Sequence, residues 1–243
     1  MTTTRAFVVV PTFNERQNLP VLVAGLMQQS NVRLLIVDDQ SPDGTGDVAD
    51  ALAREHDGRI DVMHRTARRG LGRSYSDGIR QALGGPADVI CQMDADLSHD
   101  PGQLPALIAA TERADVVIGS RYTRGGHIVN WPLRRRLLSR FANAYIRAVT
   151  RLSAHDCTSG YRCWRHDALE RLPLDRFISD GYSFLVVMLF VAAQRGCRIG
   201  EVPITFVERR QGESKLSRAV LVESAITPWR LIATRSSAAT RAR

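Results

Sequence analysis

The first half of the chain alternates short apolar runs with longer amphipathic stretches, a pattern typical of parallel α/β folds. Runs rich in β-branched residues predict five strands, at Ala6–Val10, Leu34–Val37, Ile60–His64, Val89–Met93 and Val116–Ile118. Segments with helical periodicity lie between them and predict helices near Leu19–Gln29, Thr45–His56, Arg73–Leu83 and Gln103–Arg113. The pattern therefore predicts a nucleotide-type α/β domain with a mostly parallel central sheet.

After Arg124 the alternation stops and the sequence becomes basic and helical. Between Arg134 and Leu152, apolar residues recur at helical spacing beside a row of arginines. The apolar positions of this stretch are Leu138, Phe141, Tyr145, Val149 and Leu152. A second amphipathic stretch runs from Ser217 to Arg235, where Pro228 is expected to kink the helix.

Composition and net charge indicate an ordinary globular protein with an anionic partner. The chain has 243 residues and a net charge of +8, with the apolar and charged fractions of an ordinary globular protein, which argues against disorder. The charge favours an anionic partner, either nucleic acid, a membrane surface or a phosphorylated substrate. The four cysteines lack metal-ligand spacing, so reduced thiols in a cytosolic protein are expected.

Nothing in the sequence predicts a targeting or membrane-spanning segment. Residues Met1–Arg5 carry no apolar signal core. The longest apolar run, Tyr182–Ala193, is shorter than the roughly 20 residues that cross a bilayer. We therefore expect no secretion and no transmembrane helix.

Asp94 and Asp96 follow the fourth predicted strand, separated by one residue. Two carboxylates this close repel each other unless a cation lies between them, and their hard oxygens suit Mg²⁺ or Mn²⁺. Such an ion would bridge two phosphates and stabilise a departing diphosphate. The alternative is a solvated Asp-rich turn. The position at a strand end favours the metal site, because ligands of open parallel sheets bind there.

Two further polar clusters also follow predicted strands. Asp38–Thr45 follows the second strand and could hydrogen-bond a base or ribose, or serve only as a turn and helix cap. Pro11–Glu15 follows the first strand and is equally open, since Asn14 could simply cap the next helix.

These clusters occur together and in order, and with them the chain resembles the polyprenol-phosphate (dolichol-phosphate) mannosyltransferase group of family-2 glycosyltransferases. The matching segments are PTFNE at 11–15, DDQSPDGT at 38–45, RRGLGRSYSDG at 68–78, DADLSHDP at 94–101, GSRYTRGG at 119–126, Trp131, Arg135 and Ser139 at four-residue spacing, DCTSGYR at 156–162, EVPITF at 201–206 and ER-x2-GESKL at 208–216. The match extends over nearly the whole chain, to about Leu216.

The resemblance implies a GT-A-type α/β domain over residues 1–216 and a basic amphipathic C-terminal segment over 217–243. It implies transfer of mannose from GDP-mannose to polyprenyl phosphate, with inversion at the anomeric carbon and with Mg²⁺ or Mn²⁺ as cofactor. The implied guanosine-binding residues are Pro11, Phe13, Glu15, Val37 and Asp39, and the other implied donor-binding residues are Met93, Asp94, Ala95, Arg121, Arg209 and Lys215.

The implied metal ligands are Asp94, Asp96 and Ser98, although Ser98 stands where the family often has glutamine. The implied catalytic residues are Asp96, Arg121, Arg135 and Ser139. Arg135 and Ser139 are one helical turn apart, so they lie on one face of the helix and would bind the acceptor phosphate together. Taken alone, Arg135 could equally belong to a solvated or lipid-facing row of arginines.

One departure from the family pattern concerns the sugar. Relatives carry GYxFQxE where this chain has Leu185 and Val187, so the usual glutamine and acid are missing. One alternative is therefore that the donor is another nucleotide sugar, such as UDP-glucose. A second is that the protein is a catalytically weak subunit that binds a nucleotide sugar. Binding of nucleic acid is not expected, because the chain shows no motif that reads RNA or DNA.

A polyprenyl tail stays in lipid, so the two amphipathic basic stretches are expected to dock on the cytoplasmic leaflet. The alternative is that both stretches pack on the core. The expected location is cytoplasmic, peripheral on the inner face of the membrane, with an integral-membrane protein as a further expected partner.

Overall fold

The computed structural model describes residues 4–56, 58–67, 70–174, 183–208 and 223–233. The strands are β1 (Ala6–Thr12), β2 (Val32–Asp38), β3 (Ile60–His64), β4 (Val89–Gln92), β5 (Val116–Ser120), β6 (His127–Val129), β7 (Arg162–Arg165), β8 (Ile199–Pro203) and β9 (Thr205–Val207). The helices are α1 (Leu19–Met27), α2 (Thr45–Glu55), α3 (Leu71–Leu83), α4 (Leu104–Ala110), α5 (Leu133–Thr150), α6 (His166–Glu170), α7 (Ser183–Gln194) and α8 (223–233).

Seven of these strands form one sheet in the order β3-β2-β1-β4-β7-β5-β8. All neighbours pair in parallel except β7, which is antiparallel to both β4 and β5. The predicted mostly parallel α/β sheet is therefore confirmed, as are its five predicted strands.

The expectation that the sequence becomes helical after Arg124, where the strand alternation stops, is wrong for part of this region. β7 and β8 join the central sheet, and β6 and β9 form a separate parallel pair. β7 has only four residues and begins and ends with arginine, so it lacks the apolar alternation that marks a strand. Its partners on both sides, rather than its local sequence, make it a strand.

Helices cover both faces of the sheet, and the central strands β1 and β4 are buried along their whole length. All seven residues of β1 are buried. Val9 packs with Tyr75 and Ile79 on one face, whereas Val8 packs with Leu22 on the other. Neighbouring side chains of one strand thus belong to two cores, as the pleat of a β-strand requires.

Helix α3 lies unusually close to the sheet because of Gly78. A Cβ atom at this position would come within 2.5 Å of Val9 Cγ1 and 2.9 Å of Val37 Cγ2. The missing side chain lets α3 settle directly on β1 and β2, beside the ends of the strands that carry the polar clusters.

The predicted amphipathic helix after Arg134 is α5, and the described part of the second stretch is α8. The Tyr145 hydroxyl of α5 donates a hydrogen bond to the Ala225 carbonyl at 2.7 Å, which ties the two helices together. Across the described residues, no helix combines the length and hydropathy needed to cross a bilayer.

Candidate active site

A cavity of about 520 Å³ begins beside Asp94 and Asp96 and continues between α5, α7 and α8. Its charged and polar lining includes Asp94, Asp96, His99, Arg121, Arg135 and Ser139. Its other walls include Leu138, Phe141, Ala142, Tyr145, Ile146, Val186, Ala225 and Pro228. One cavity therefore joins a charged end to a largely apolar end.

The Asp94 carboxylate is held by groups from distant parts of the chain. The Tyr75 hydroxyl donates to Asp94 Oδ1 at 2.8 Å. Gly160 lies so near that a Cβ there would come within 3.0 Å of Asp94 Oδ2. Burial, followed by the charge of Asp94, raises the pKa of Tyr75 well above its ordinary value, so the phenol stays protonated and donates.

His99 supports the backbone of the same loop. Its ring stacks on Tyr161 and meets the edge of Phe206, and its Nδ1 accepts a hydrogen bond from the Asp94 amide at 3.3 Å. Burial lowers the pKa of His99, although the Asp94 and Asp96 carboxylates oppose this shift. The ring is therefore neutral near pH 7 and acts as an acceptor at Nδ1.

Asp96 is fixed by its own loop, because the Ser98 amide donates to Asp96 Oδ1 at 3.1 Å. The Ser98 side chain is buried and is not part of the cavity lining. Ser98 thus supports Asp96 through its backbone, and its role as a metal ligand stays a prediction.

The donor set at this end fits a divalent ion held jointly with a phosphorylated ligand. Asp94 and Asp96 offer the hard carboxylate oxygens that Mg²⁺ and Mn²⁺ prefer. No group of three or more His, Cys, Asp or Glu residues suited to a metal occurs within the described ranges. Two carboxylates leave most coordination positions to other oxygens, as expected where Mg²⁺ is bound by one or two carboxylates and substrate phosphates.

Arg121 is a buried cation with a buried partner. Its Nε and Nη2 donate to the two oxygens of Asp156 at 2.7 and 2.8 Å, and Nη2 also reaches Thr158 Oγ1. Burial alone would lower the pKa of Arg121 and raise that of Asp156, but their mutual attraction outweighs it and shifts both the other way. The guanidinium also lies 5.2 Å from the centre of the Phe206 ring.

The predicted acceptor pair, Arg135 and Ser139, does line the cavity side by side on α5. The Arg135 guanidinium lies 4.0 Å from the centre of the Trp131 ring and forms an ion pair with Glu208. Ser139 Oγ accepts a hydrogen bond from the Tyr122 hydroxyl at 2.7 Å. Both side chains are thus oriented before any ligand arrives.

The structure also brings together the two loops predicted to hold the nucleoside. The Asn14 amide donates to Ser41 Oγ at 3.1 Å, and the Glu15 amide donates to Thr45 Oγ1 at 3.0 Å. Phe13 and Glu15 are half-buried in this pair of loops.

The remaining predicted donor residues lie deeper. Val37 and Met93 are fully buried, and Pro11 and Ala95 are nearly so. These four residues therefore pack below the surface of the loops. Arg209 and Lys215 lie outside the described residues.

Helix α3 connects the nucleoside loops with the aspartate loop. At its start, the Gly70 amide donates to Asp39 Oδ2 at 2.9 Å. Arg65, from the end of β3, lies 3.4 Å from Asp39 Oδ1 and pairs with Asp77 of α3. One turn further on, Tyr75 reaches Asp94. The loops after β2 and β4 are therefore both held by α3, and the loop after β1 is joined to the first of these by its hydrogen bonds to Ser41 and Thr45.

Leu185 and Val187, which replace the family's usual glutamine and acid, do not line the cavity. The described residues of α7 that line the cavity are Ser183 and Val186. Leu185 is buried in the core, and its carbonyl accepts a hydrogen bond from Arg162 at 2.6 Å. Val187 packs against the same core.

Three residues near the charged end had no role assigned from the sequence: Tyr75, His99 and Asp156. All three lie in matched segments, RRGLGRSYSDG, DADLSHDP and DCTSGYR, but only the fold reveals Arg121 as the partner of Asp156. His99 lacks ligand spacing to other metal-binding residues, and Tyr75 is 19 positions from the carboxylate that it contacts. No local sequence signal identifies such contacts.

Comparison with known proteins gives consistent results. A family model described as "Glycosyl transferase family 2" matches residues 7–172. The undecaprenyl-phosphate mannosyltransferase of Micrococcus luteus is 47% identical over 234 residues, which cover 94% of this chain and 95% of that protein. The polyprenol monophosphomannose synthase of Mycolicibacterium smegmatis is 44% identical over 224 residues, which cover 91% and 84%.

A solved structure shares the fold at lower identity. The mannosyltransferase PcManGT from Pyrobaculum calidifontis, in complex with GDP-Man and Mn²⁺, superposes with a TM-score of 0.60 and 18% sequence identity. The alignment covers 100% of this chain and 76% of that one.

Proposed function

The chain belongs to the polyprenol-phosphate mannosyltransferase group of glycosyl transferase family 2, a group with the GT-A fold, and we propose that its donor is GDP-mannose and that transfer inverts the anomeric carbon. The observation that supports transfer to a polyprenyl phosphate is the two-ended cavity. Asp94, Asp96, Arg121 and Arg135 line the end suited to phosphates, whereas α5, α7 and α8 supply walls suited to an isoprenoid chain.

The donor would bind over the carboxyl ends of β1, β2 and β4. Its guanosine would lie against Pro11–Glu15 and Asp39, and its diphosphate would reach Asp94 and Asp96. A divalent ion bound there supplies positive charge that offsets the charge developing on the leaving diphosphate. Arg209 and Lys215, outside the described residues, are proposed to contact the same diphosphate.

The acceptor phosphate would bind between Arg121 and Arg135, with Ser139 as a further hydrogen-bond partner. Asp156 accepts from Nε and Nη2 of Arg121, and within the described ranges Nη1 has no hydrogen-bond acceptor, so we propose Nη1 as the donor to the acceptor phosphate. The acceptor phosphate is anionic near neutral pH, so it can attack the anomeric carbon without a general base. Catalysis then depends on alignment and on charge stabilisation, and one displacement inverts the configuration from α to β.

The isoprenoid part of the acceptor would follow the apolar walls toward α5 and α8. These helices expose large apolar side chains, namely Leu133, Leu137, Leu138, Phe141, Ile226 and Trp229. With the arginines of α5 beside them, this surface suits an interfacial position on an anionic membrane. We take this surface to rest on the cytoplasmic leaflet, where an integral-membrane protein would be a neighbour.

The decisive experiment offers the protein labelled GDP-mannose or labelled UDP-glucose, each with a polyprenyl phosphate and Mg²⁺ or Mn²⁺. Label extracted into the lipid phase from GDP-mannose alone is the expected result. Asp96→Ala should reduce the rate by about 10²–10³-fold, the scale seen when one stabilising group is lost from a charged transition state.

The matched control is Asp167→Ala, which removes an exposed carboxylate paired with Arg165 far from the cavity and should transfer at the normal rate. Transfer from UDP-glucose in place of GDP-mannose would refute the proposed donor. Binding of a nucleotide sugar without transfer would instead indicate a catalytically weak subunit.

A further inference from the structure

Tyr75 has an unusual position for a tyrosine. Its side chain is fully buried, and its ring lies parallel to that of Phe184 with 6.3 Å between the ring centres. A buried phenol needs an acceptor, and a core position without one would favour phenylalanine. Here the acceptor is Asp94 Oδ1, at 2.8 Å.

Asp94 is restrained on several sides at once. The hydroxyl of Tyr75 contacts one carboxylate oxygen, the backbone at Gly160 lies against the other, and the Asp94 amide donates to His99. The first two contacts restrain the orientation of the carboxylate, and the third restrains the backbone of its loop. A ligand held in one orientation loses less conformational freedom when a cation binds.

We infer that Tyr75 is a positioning residue, whose hydroxyl holds Asp94 in the orientation that binds the divalent cation. This inference rests on the proposed metal site. It also gives α3 a role, because its N-cap residue Gly70 donates to Asp39, so that one helix holds both the nucleoside loop and the metal-binding carboxylate in position. Neither Tyr75 nor α3 needs to touch the substrate for this effect.

Two consequences of the hydrogen bond oppose each other. Donation from Tyr75 withdraws charge from the carboxylate and weakens its attraction for a cation, whereas fixed orientation strengthens binding. Loss of hydrogen bonds to metal-ligating groups typically weakens metal binding by 10- to 100-fold, about the size expected if orientation dominates. Removing the hydroxyl should therefore weaken cation binding.

The test is Tyr75→Phe, which keeps the ring and its packing on Phe184. Free Mn²⁺ is measured by electron paramagnetic resonance while the full-length protein is titrated with Mn²⁺ at saturating GDP. We expect the Mn²⁺ dissociation constant to rise by about 10-fold or more. In the transfer assay, the Mn²⁺ concentration for half-maximal rate should rise, and kcat should recover at high Mn²⁺.

The matched control is Tyr161→Phe, which removes another buried tyrosine hydroxyl. That hydroxyl donates to the Asp100 carbonyl at 3.2 Å, not to a carboxylate. An unchanged or lower Mn²⁺ dissociation constant in Tyr75→Phe would overturn the inference. An equal rise in both variants would also overturn it, since general loosening of the loop would then be the cause.

The binding experiment is independent of the proposed reaction. If the protein transfers no sugar but binds Mn²⁺ with GDP, the hydroxyl effect is still measured. Absence of any Mn²⁺ binding in the unsubstituted protein would overturn the inference and, with it, the proposed metal site.

Discussion

The pair of Arg121 and Asp156 shows how one residue contact sustains the charged end of the cavity. Both side chains are nearly or fully buried, and each has its charge balanced by the other. Arg121 would be costly to bury alone, and Asp156 also accepts its backbone amide at 3.0 Å. The pair keeps a cation beside the proposed acceptor phosphate without exposing it to water.

Removing Asp156 should therefore be strongly destabilising. Asp156→Ala leaves a buried guanidinium without its partner, and we expect the free energy of unfolding to fall by about 3–5 kcal/mol. Urea unfolding measures this change. Asp167→Ala, at an exposed ion pair, should cost less than about 1 kcal/mol, and equal losses in the two variants would contradict the argument.

The same pair predicts a dependence on pH. The pKa of Asp156 in the folded protein lies below its ordinary value, despite burial, because Arg121 outweighs the effect of burial. The stability that Asp156 contributes is then fully present above the unfolded pKa of about 4 and declines as pH falls from there through the folded pKa. Urea midpoints measured from pH 7 down to pH 3 should fall less steeply in Asp156→Ala.

At the scale of the element, α5 has different surroundings along its length. Leu133, Leu137 and Phe141 are exposed at 70, 57 and 69% and recur every four residues on one face. Further along α5, Ile146 is buried in the core, as is Leu152 just after the helix ends. Core packing therefore describes only the later part of the helix, and docking on lipid stays a prediction for its exposed beginning.

The exposed part of α5 gives a test of membrane docking. Leu137→Asp should weaken binding to anionic vesicles by roughly 10-fold or more, since inserting one leucine side chain is worth about 1.5–3 kcal/mol. Vesicle co-sedimentation at physiological salt measures it. Val21→Asp on α1, equally exposed at 58%, is the control and should bind normally. Equal binding by all three proteins would rule out α5 as the docking surface.

For the whole molecule, function depends on several loops being held in one arrangement. The loop after β1 is hydrogen-bonded to the loop after β2, and the loops after β2 and β4 are each hydrogen-bonded to α3 or its first residues. The cavity adds α5, α7 and α8. Ligands that join these parts should stabilise the folded state as a whole, because they bind the native arrangement and not the unfolded chain.

We therefore expect GDP and Mn²⁺ together to raise the melting temperature more than the sum of their separate effects. At 100 times the dissociation constant, a ligand adds about 2.7 kcal/mol, which is several degrees for a chain of this size. Thermal unfolding followed by circular dichroism measures the shift. Asp96→Asn should lose the joint effect but keep that of GDP alone, and a joint effect retained in this variant would argue against the carboxylate site.

The sequence by itself determined the parallel half of the sheet and the position of the polar clusters, because both follow from local patterns. Apolar runs form strands, and the residues directly after them lie at the carboxyl edge wherever the strands end up. The neighbouring positions of Arg135 and Ser139 likewise follow from helical spacing alone.

Only the tertiary structure decided the contacts that make these residues a site. β7 enters the sheet because β4 and β5 pair with it, Tyr75 and Asp156 acquire their roles from partners 19 and 35 positions away, and α5 is covered on part of one face. Periodicity reveals that a segment has two faces, but what covers each face depends on the rest of the chain.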